Sequence, residues 1–419
     1  MRENALWSLP ALRRLETEAE LQGLDLMQRA ARATADWVRQ RLHSDARILV
    51  AAGPGNNGGD ALYAALLLMQ AGYSVDILLP QAATSRQSQA ALQAIRQAGG
   101  IPLQQLASDY PTPELLIDGL FGIGLSRPLS ADWAAVMTQL NALDCLKLAL
   151  DCPSGLDPYT GQAQQACIRA SHTLTFLCHK PGLYYAAGAD HAGQIELAGL
   201  DCPQALLPPA EGYLNRQDAS PLQRRRDSHK GSHGTLCLIG GNRGMLGAAL
   251  LAGRAALAAG AGKVHVLTLD GSLTVDPLCP ELMLQYADPA MPLPAADVLA
   301  LGPGLGQDKP ARQWLKRVLA STLPLVLDAD ALNLLASNAD LQHTLARRPA
   351  STILTPHPAE AARLLACSSA DVQGDRLSAA RQLAERFQCT VLLKGAGSLI
   401  VTVGQPYLLN TSGGPALAA

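Results

Sequence analysis

The chain has 419 residues, more than one hydrophobic core usually serves, so two domains are the starting expectation. Hydrophobic residues make up 48%, charged residues 16% and aromatics 4%, a globular balance that excludes a disordered chain. A formal net charge of −2 carries no basic excess, which excludes nucleic acid as the principal partner and leaves only small, locally bound anions.

Nine scattered cysteines, none spaced as CxxC, speak against a disulfide framework or a zinc site and suit a reducing cytoplasm. The first residues interleave charges with apolar positions and hold no signal-peptide core. The longest apolar stretch, Met245 to Ala261, is broken by Arg254 and three glycines, so no membrane span is expected.

In chain order, Leu12 to about Leu42 reads as one long amphipathic helix covering a sheet. Apolar runs at 47–53, 74–80, 115–122, 146–151 and 172–178 then alternate with helical patterns, the signature of βαβ units and a mostly parallel sheet. The period lapses over 203–233, rich in Pro, Gly and charge, and a boundary there divides the chain into 1–215 and 225–419. Arg224, Arg225 and Arg226, with His229 and Lys230, read as a solvated linker stretch. A second alternation follows, with strands at 235–241, 263–269, 297–304, 323–330, 351–358 and 390–397. Its last two strands, TVLLK and SLIVTV, form a hairpin across Gly395-Ala396-Gly397.

The sharpest local feature is Gly53-Pro-Gly-Asn-Asn-Gly-Gly-Asp60, between the first of these strands and a helix starting near Asp60. It matches neither GxGxxG nor GxxxxGK[ST]. Glycines at the carboxyl end of a parallel strand allow close approach to a ligand, and a helix N-terminus offers N–H groups to a phosphate. Two further junctions match it: Asp118 precedes the Gly-rich stretch Gly122 to Pro128, and Asp151 precedes Ser154. Taken singly, such an Asp caps a helix or bonds a turn. If the three strands are neighbours, Asn57, Asp118 and Ser154 can meet as oxygen donors around one hard cation, leaving Asp151 for proton transfer.

The trio AGPGNNGGDAL, IDGLFGIGLSRP and LDCPSGLD resembles the YjeF N-terminal family, the NAD(P)H-hydrate epimerases, over about the first 215 residues. The resemblance implies a three-layer α/β/α Rossmann-like sandwich. By motif, Asn56, Asn57, Gly58, Gly59, Asp60, Gly122, Ile123, Gly124, Leu125, Ser126, Arg127, Pro128 and Asp151 would bind the hydrated cofactor. Asn57, Asp118 and Ser154 would hold potassium, and Asp151 would be the acid/base interconverting the R and S epimers at C6 of the hydrated nicotinamide ring. Ala61 departs from the family, where a further glycine is usual.

In the second half, the Gly-rich turn 240–247, ALGPGLG, DADALN, TPHPAE and KGAGS each follow a predicted strand. His357 sits between two prolines that restrain it, and Lys394 precedes a turn offering backbone donors. This ordered set resembles the ribokinase-like ADP-dependent NAD(P)H-hydrate dehydratases from about residue 225 onward. The resemblance implies an α/β domain in which Ala248, Gly304 and His357 contact the hydrated cofactor. Lys394, Gly395, Ala396, Gly397 and Ser398 would contact the AMP part of ADP, bound with magnesium. Ala359 stands where that family usually has glycine.

In that family the segment resembling NTSGGPALAA (410–419) is followed by a Gly-Gly-x-Gly-Asp loop whose Asp acts on the departing hydroxyl. The sequence stops before it. The expectation is that this is part of a longer reading frame and that the ribokinase-like domain, incomplete at its C-terminus, has weak or no dehydratase activity and an exposed apolar sheet surface. Together the two halves imply a bifunctional repair enzyme acting on NAD(P)HX with ADP, and self-association is left open. Two other functions fit the fold class: a small-molecule kinase in the second half, or a nucleotide-binding module that has kept the sandwich without the chemistry.

Overall fold

The computed structural model describes residues 4–124, 128–215 and 224–414. The chain divides into two compact units, Met1–Leu214 with Thr411–Ala419, and Asn215–Asn410. Both are α/β.

The first unit begins with β1 (Ala5–Leu6), α1 (Leu9–Leu21), α2 (Leu26–Arg39), β2 (Arg47–Ala52), α3 (Asn56–Gln70), β3 (Ser74–Leu78) and α4 (Arg86–Gln97). It continues through β4 (Leu115–Gly119), α5 (Ala131–Ala142), β5 (Leu146–Leu150), β6 (His172–Phe176), α6 (Gly188–His191), β7 (Gln194–Ala198) and β8 (Gly212–Asn215). Six strands form a parallel sheet in the order β3-β2-β4-β5-β6-β7. Its central strands are continuous apolar runs, as expected where helices cover both faces, and every residue from Ile48 to Ala52 is fully buried. One face packs Ile48 and Val50 with Leu12, Trp37 and Leu62, while the other packs Leu49 and Ala51 with Trp133 and Met137.

The expected single opening helix is two. Helix α1 ends at Leu21, and Gly23 takes the left-handed region (φ +78). The Gly23 N–H then bonds Glu20 O and the Leu24 N–H bonds Ala19 O, a closure that satisfies the last carbonyls of the helix. Asp25 restarts the chain by accepting from the Gln28 N–H at 3.0 Å. A second difference lies at α3, which starts at Asn56 rather than near Asp60. A Cβ on Gly58 would come within 1.9 Å of Gly53 O, so only glycine lets this first turn lie against the strand end.

The second unit contains β9 (Thr235–Gly240), α7 (Leu246–Ala258), β10 (Lys263–Thr268), β11 (Met283–Tyr286), β12 (Val298–Leu301), α8 (Lys309–Leu319), β13 (Leu325–Leu327), α9 (Asp330–Ala336) and α10 (Ala339–Ala346). After these come β14 (Thr352–Leu354), α11 (Pro358–Leu365), α12 (Ser369–Gly374), α13 (Arg376–Phe387), β15 (Thr390–Leu393), β16 (Ser398–Val401) and β17 (Tyr407–Asn410). The strand order is β11-β10-β9-β12-β13-β14-β15-β16-β17, parallel as far as β15. The anticipated hairpin pairs β15 with β16 antiparallel, and β17 extends it. Among the described residues, no helix is long and apolar enough to cross a membrane.

Candidate active site

Strands β2, β4 and β5 are neighbours, with Ala51 paired to Asp118 and Asp118 to Ala149. Their carboxyl ends therefore adjoin, where open α/β sheets bind ligands. Above them lies a cavity of about 860 Å³ lined by Asn56, Asn57, Asp60, Asp151, Lys180 and Glu16, among others. Gly122, Ile123, Gly124 and Pro128 also reach it, whereas Leu125, Ser126 and Arg127 fall outside the described residues. Gly58 and Gly59 turn away and pack the helix closely: a Cβ on Gly59 would lie 2.6 Å from Met27 Cε.

Asp151 follows β5 with φ +65, a left-handed backbone that is uncommon for a residue other than glycine. Its Oδ1 accepts the Phe176 N–H at 3.0 Å and the Lys180 ammonium at 2.5 Å. The Lys180 side chain has no exposed surface, and its Nζ also donates to Thr175 Oγ1 at 2.9 Å and Phe176 O at 2.8 Å. Burial alone would lower the pKa of this ammonium. The Asp151 charge and hydrogen bond outweigh burial and hold it above its ordinary value.

Two more carboxyls share the cavity. Desolvation, then the Asp151 and Glu16 charges, pushes Asp60 well above the usual carboxylate range, although part of its surface opens on the cavity. Glu16 of α1 is also raised, by burial first and by Asp151 second. Sequence reasoning passed over Lys180 and Glu16. Nothing in spacing signals a partner 29 residues away, and Glu16 is one of several acidic residues on α1.

Beneath the cavity, Asp118 and Ser154 are fully buried. Ser154 Oγ donates to Asp118 Oδ1 at 2.6 Å, and its N–H donates to Oδ2 at 2.8 Å. Burial raises the Asp118 carboxyl to about 6 against these bonds. Asn57 is also buried, and its Oδ1 and Nδ2 have no hydrogen-bond partner. Such an orphaned amide costs roughly 1–3 kcal/mol unless something bonds it. Its Cγ lies 3.2 Å from where a Cβ on Gly122 would stand, and its backbone O is 2.9 Å from the equivalent point on Gly119. A carboxylate, an amide oxygen and a hydroxyl are donors that fit a hard cation such as potassium.

In the second unit the predicted residues also follow strand ends. Gly304 approaches Ala248, with 3.3 Å between a Cβ at 304 and that of Ala248. His357 caps α11: its Nδ1 accepts the N–H groups of Ala359 and Glu360, and its own N–H bonds Glu360 Oε2 at 2.8 Å. The Lys394 ammonium bonds Asp328 Oδ1 at 2.6 Å and lies 3.9 Å from Glu360 Oε2, so Glu360 links it to His357. The turn Lys394 to Ser398 is held from below by buried Arg376, which donates to the carbonyls of Leu393, Lys394 and Gly397, while Ser398 Oγ bonds Gly395 O. Ala396 sits at the tip of that turn. A cavity of about 470 Å³ in this unit is lined by Gln307, Asn333, Ala336, Ser337 and Arg363, none of them predicted from sequence.

Known proteins carry the same two halves. A family model described as YjeF-related protein N-terminus matches residues 23–182, and one described as NAD(P)H-hydrate dehydratase matches residues 236–419. The chain is similar to the bifunctional NAD(P)H-hydrate repair enzyme Nnr of Escherichia coli (strain K12), with 38% identity over 95% of this chain and 78% of that protein. It is also similar to the protein of the same name from Coxiella burnetii, with 36% identity over 97% of this chain and 84% of that protein. Among solved structures, the ADP/ATP-dependent NAD(P)H-hydrate dehydratase from Bacillus subtilis, co-crystallised with ATP/Mg2+, is 32% identical and covers 47% of this chain and 70% of its own, with a TM-score of 0.40. Identity that runs through both halves in the same order shows that the chain belongs to the family of bifunctional NAD(P)H-hydrate repair enzymes.

Proposed function

We propose that residues 1–215 epimerise R- and S-NAD(P)HX and that residues 225–419 dehydrate the S epimer in an ADP-dependent reaction. The observation that carries the first half is Asp151 held against buried Lys180 at the wall of the large cavity. A carboxylate fixed by an N–H and an ammonium presents its second oxygen in a defined direction, which proton transfer at C6 requires. Asn56, Asn57, Asp60, Gly122, Ile123, Gly124 and Pro128 supply amides, a carboxyl and close backbone approach for the rest of the hydrated cofactor. Lys180 neutralises the Asp151 charge and fixes its rotamer.

Asn57, Asp118 and Ser154 would hold potassium. Bound there, the cation would supply positive charge beneath the Gly-rich turns and would satisfy the Asn57 amide oxygen. In the second half, Ala248, Gly304 and His357 are assigned to the hydrated cofactor, and Lys394 to Ser398 to ADP with magnesium. Cys145, Cys152, Cys167, Cys178, Cys237, Cys279, Cys367 and Cys389 are free thiols, in keeping with a cytoplasmic enzyme.

The test supplies pure R-NADHX with potassium and follows conversion to the S epimer by chromatography. Acceleration over the spontaneous rate is expected, and Asp151→Ala should abolish it. A rate no faster than the spontaneous one would overturn the epimerase reading. For the second half, ADP with magnesium should bind by calorimetry, and NADH formation from S-NADHX that does not depend on ADP would overturn that assignment.

A further inference from the structure

Epimerisation at C6 breaks and re-forms a bond at a carbon flanked by nitrogen and hydroxyl, so it needs a proton donor as well as an acceptor. We propose that Glu16, on α1, is the proton donor that completes the site with Asp151. The inference rests on the epimerase reading. Helix α1 (Leu9–Leu21) lies outside the span 23–182 matched by the family model, yet it forms a wall of the cavity through Leu12, Arg13, Glu16 and Glu20. Arg13 and Glu16, three residues apart, share one helix face. The Arg13 Nη2 reaches within 3.8 Å of the Cβ position of Gly124, so this face turns toward the loop that follows β4. Asp151 lines the same cavity from a different element, the end of β5.

The chemistry balances with water as the only co-reactant. The Glu16 carboxylic acid gives its proton to the C6 hydroxyl. The C6–O bond breaks with both electrons leaving on water, and the N1 lone pair closes a C6=N1 double bond. Water then adds to the opposite face of C6, the π electrons return to N1, and the proton lost by the entering water passes to the Asp151 carboxylate, from which it returns to Glu16 through solvent before the next turnover. The reverse epimerisation runs the same steps with the roles exchanged.

Burial and the nearby Asp151 charge favour the protonated form of Glu16, opposed by Lys180 and Arg13. Asp60, Glu20, Tyr159 and Cys178 also act on it, and Asp25 lines the same cavity. Asp60, on α3, is raised as well, but it stands three residues from Asn57, one of the donors assigned to the cation, and not on the α1 wall.

The experiment measures R-to-S conversion by the full chain across pH. A general acid contributes about 10²–10⁴-fold, so Glu16→Gln should lower kcat roughly 100-fold with little change in KM and remove the alkaline limb of the kcat profile. Glu16→Asp should restore part of the rate and the limb. Glu18→Gln, exposed on the same helix, should behave as wild type and controls for folding of α1. Glu16→Gln with kcat within about threefold of wild type, or with the alkaline limb intact, overturns the assignment while leaving the epimerase reading standing. A wild-type chain that gives no acceleration overturns both.

Discussion

Asp151 occupies a backbone region that costs a residue with a side chain on the order of 1–3 kcal/mol, and its surroundings hold it there. The Phe176 N–H and the Lys180 ammonium bond one oxygen, leaving the other for substrate. Lys180→Met removes the partner of a buried carboxylate, so a loss of roughly 3–5 kcal/mol in denaturant unfolding is expected, together with loss of epimerase activity. A midpoint unchanged from wild type would show that the pair does not support the fold. Asp60 yields a pH prediction of the opposite kind. A carboxyl whose folded pKa lies above its ordinary 3.8 contributes its full stability below that value and loses it as pH rises through the folded one. Asp60→Asn should therefore melt higher than wild type near neutrality, and the difference should close in acid. Parallel curves of melting temperature against pH would rule this out. Position after a strand made Asp118, Asp151 and Asn57 legible in the sequence. Lys180 was not, because a lysine in the run TFLCHKPGLYY carries no mark of burial until the fold brings it under Asp151.

Elements were legible where the pattern is strong. The five expected strands of the first half and the seven of the second, SLIVTV included, form because apolar runs bounded by turn residues leave little choice. Strand β7 was passed over: QIELA is only half-buried and alternates weakly. The apolar period of α1 continues into α2 and suggests one helix, but Gly23 and Asp25 are stop and start signals, a left-handed residue followed by a cap. Gly23→Ala should cost about 1–2 kcal/mol, since alanine pays for the left-handed region, and Asp25→Ala about 1 kcal/mol. Both belong to the join that sets the direction of α1 and hence the placement of Glu16, so each should also slow epimerisation. Denaturant midpoints and initial rates measured on the same preparations check the link, and a stability loss without a change in rate would break it. In the second unit, Arg376→Leu would leave the carbonyls of Leu393, Lys394 and Gly397 without their buried donor. The expected result is a loss of about 3 kcal/mol or more and weaker ADP binding by calorimetry.

At the scale of the molecule, each unit holds a run of parallel strands, β2 to β7 in the first and β9 to β15 in the second, with predicted site residues at the carboxyl ends of strands. The two assigned reactions act on one substrate in sequence: the first exchanges the epimers and the second consumes one of them. A ligand that binds only the folded state slows the local opening of the segments it touches, by a factor that grows with its concentration relative to Kd. At about 100 times Kd this amounts to about 2.7 kcal/mol, or roughly 100-fold slower amide exchange. ADP with magnesium should therefore protect residues 390–398 and α13, where Arg376 holds the turn, and leave residues 53–60 unchanged. Potassium with R-NADHX should protect residues 53–60, 118–122 and 151–154. Hydrogen exchange read by mass spectrometry resolves both sets in one experiment. Protection of 390–398 by potassium alone, or of 53–60 by ADP alone, would show that the two ligands are not divided between the units as proposed.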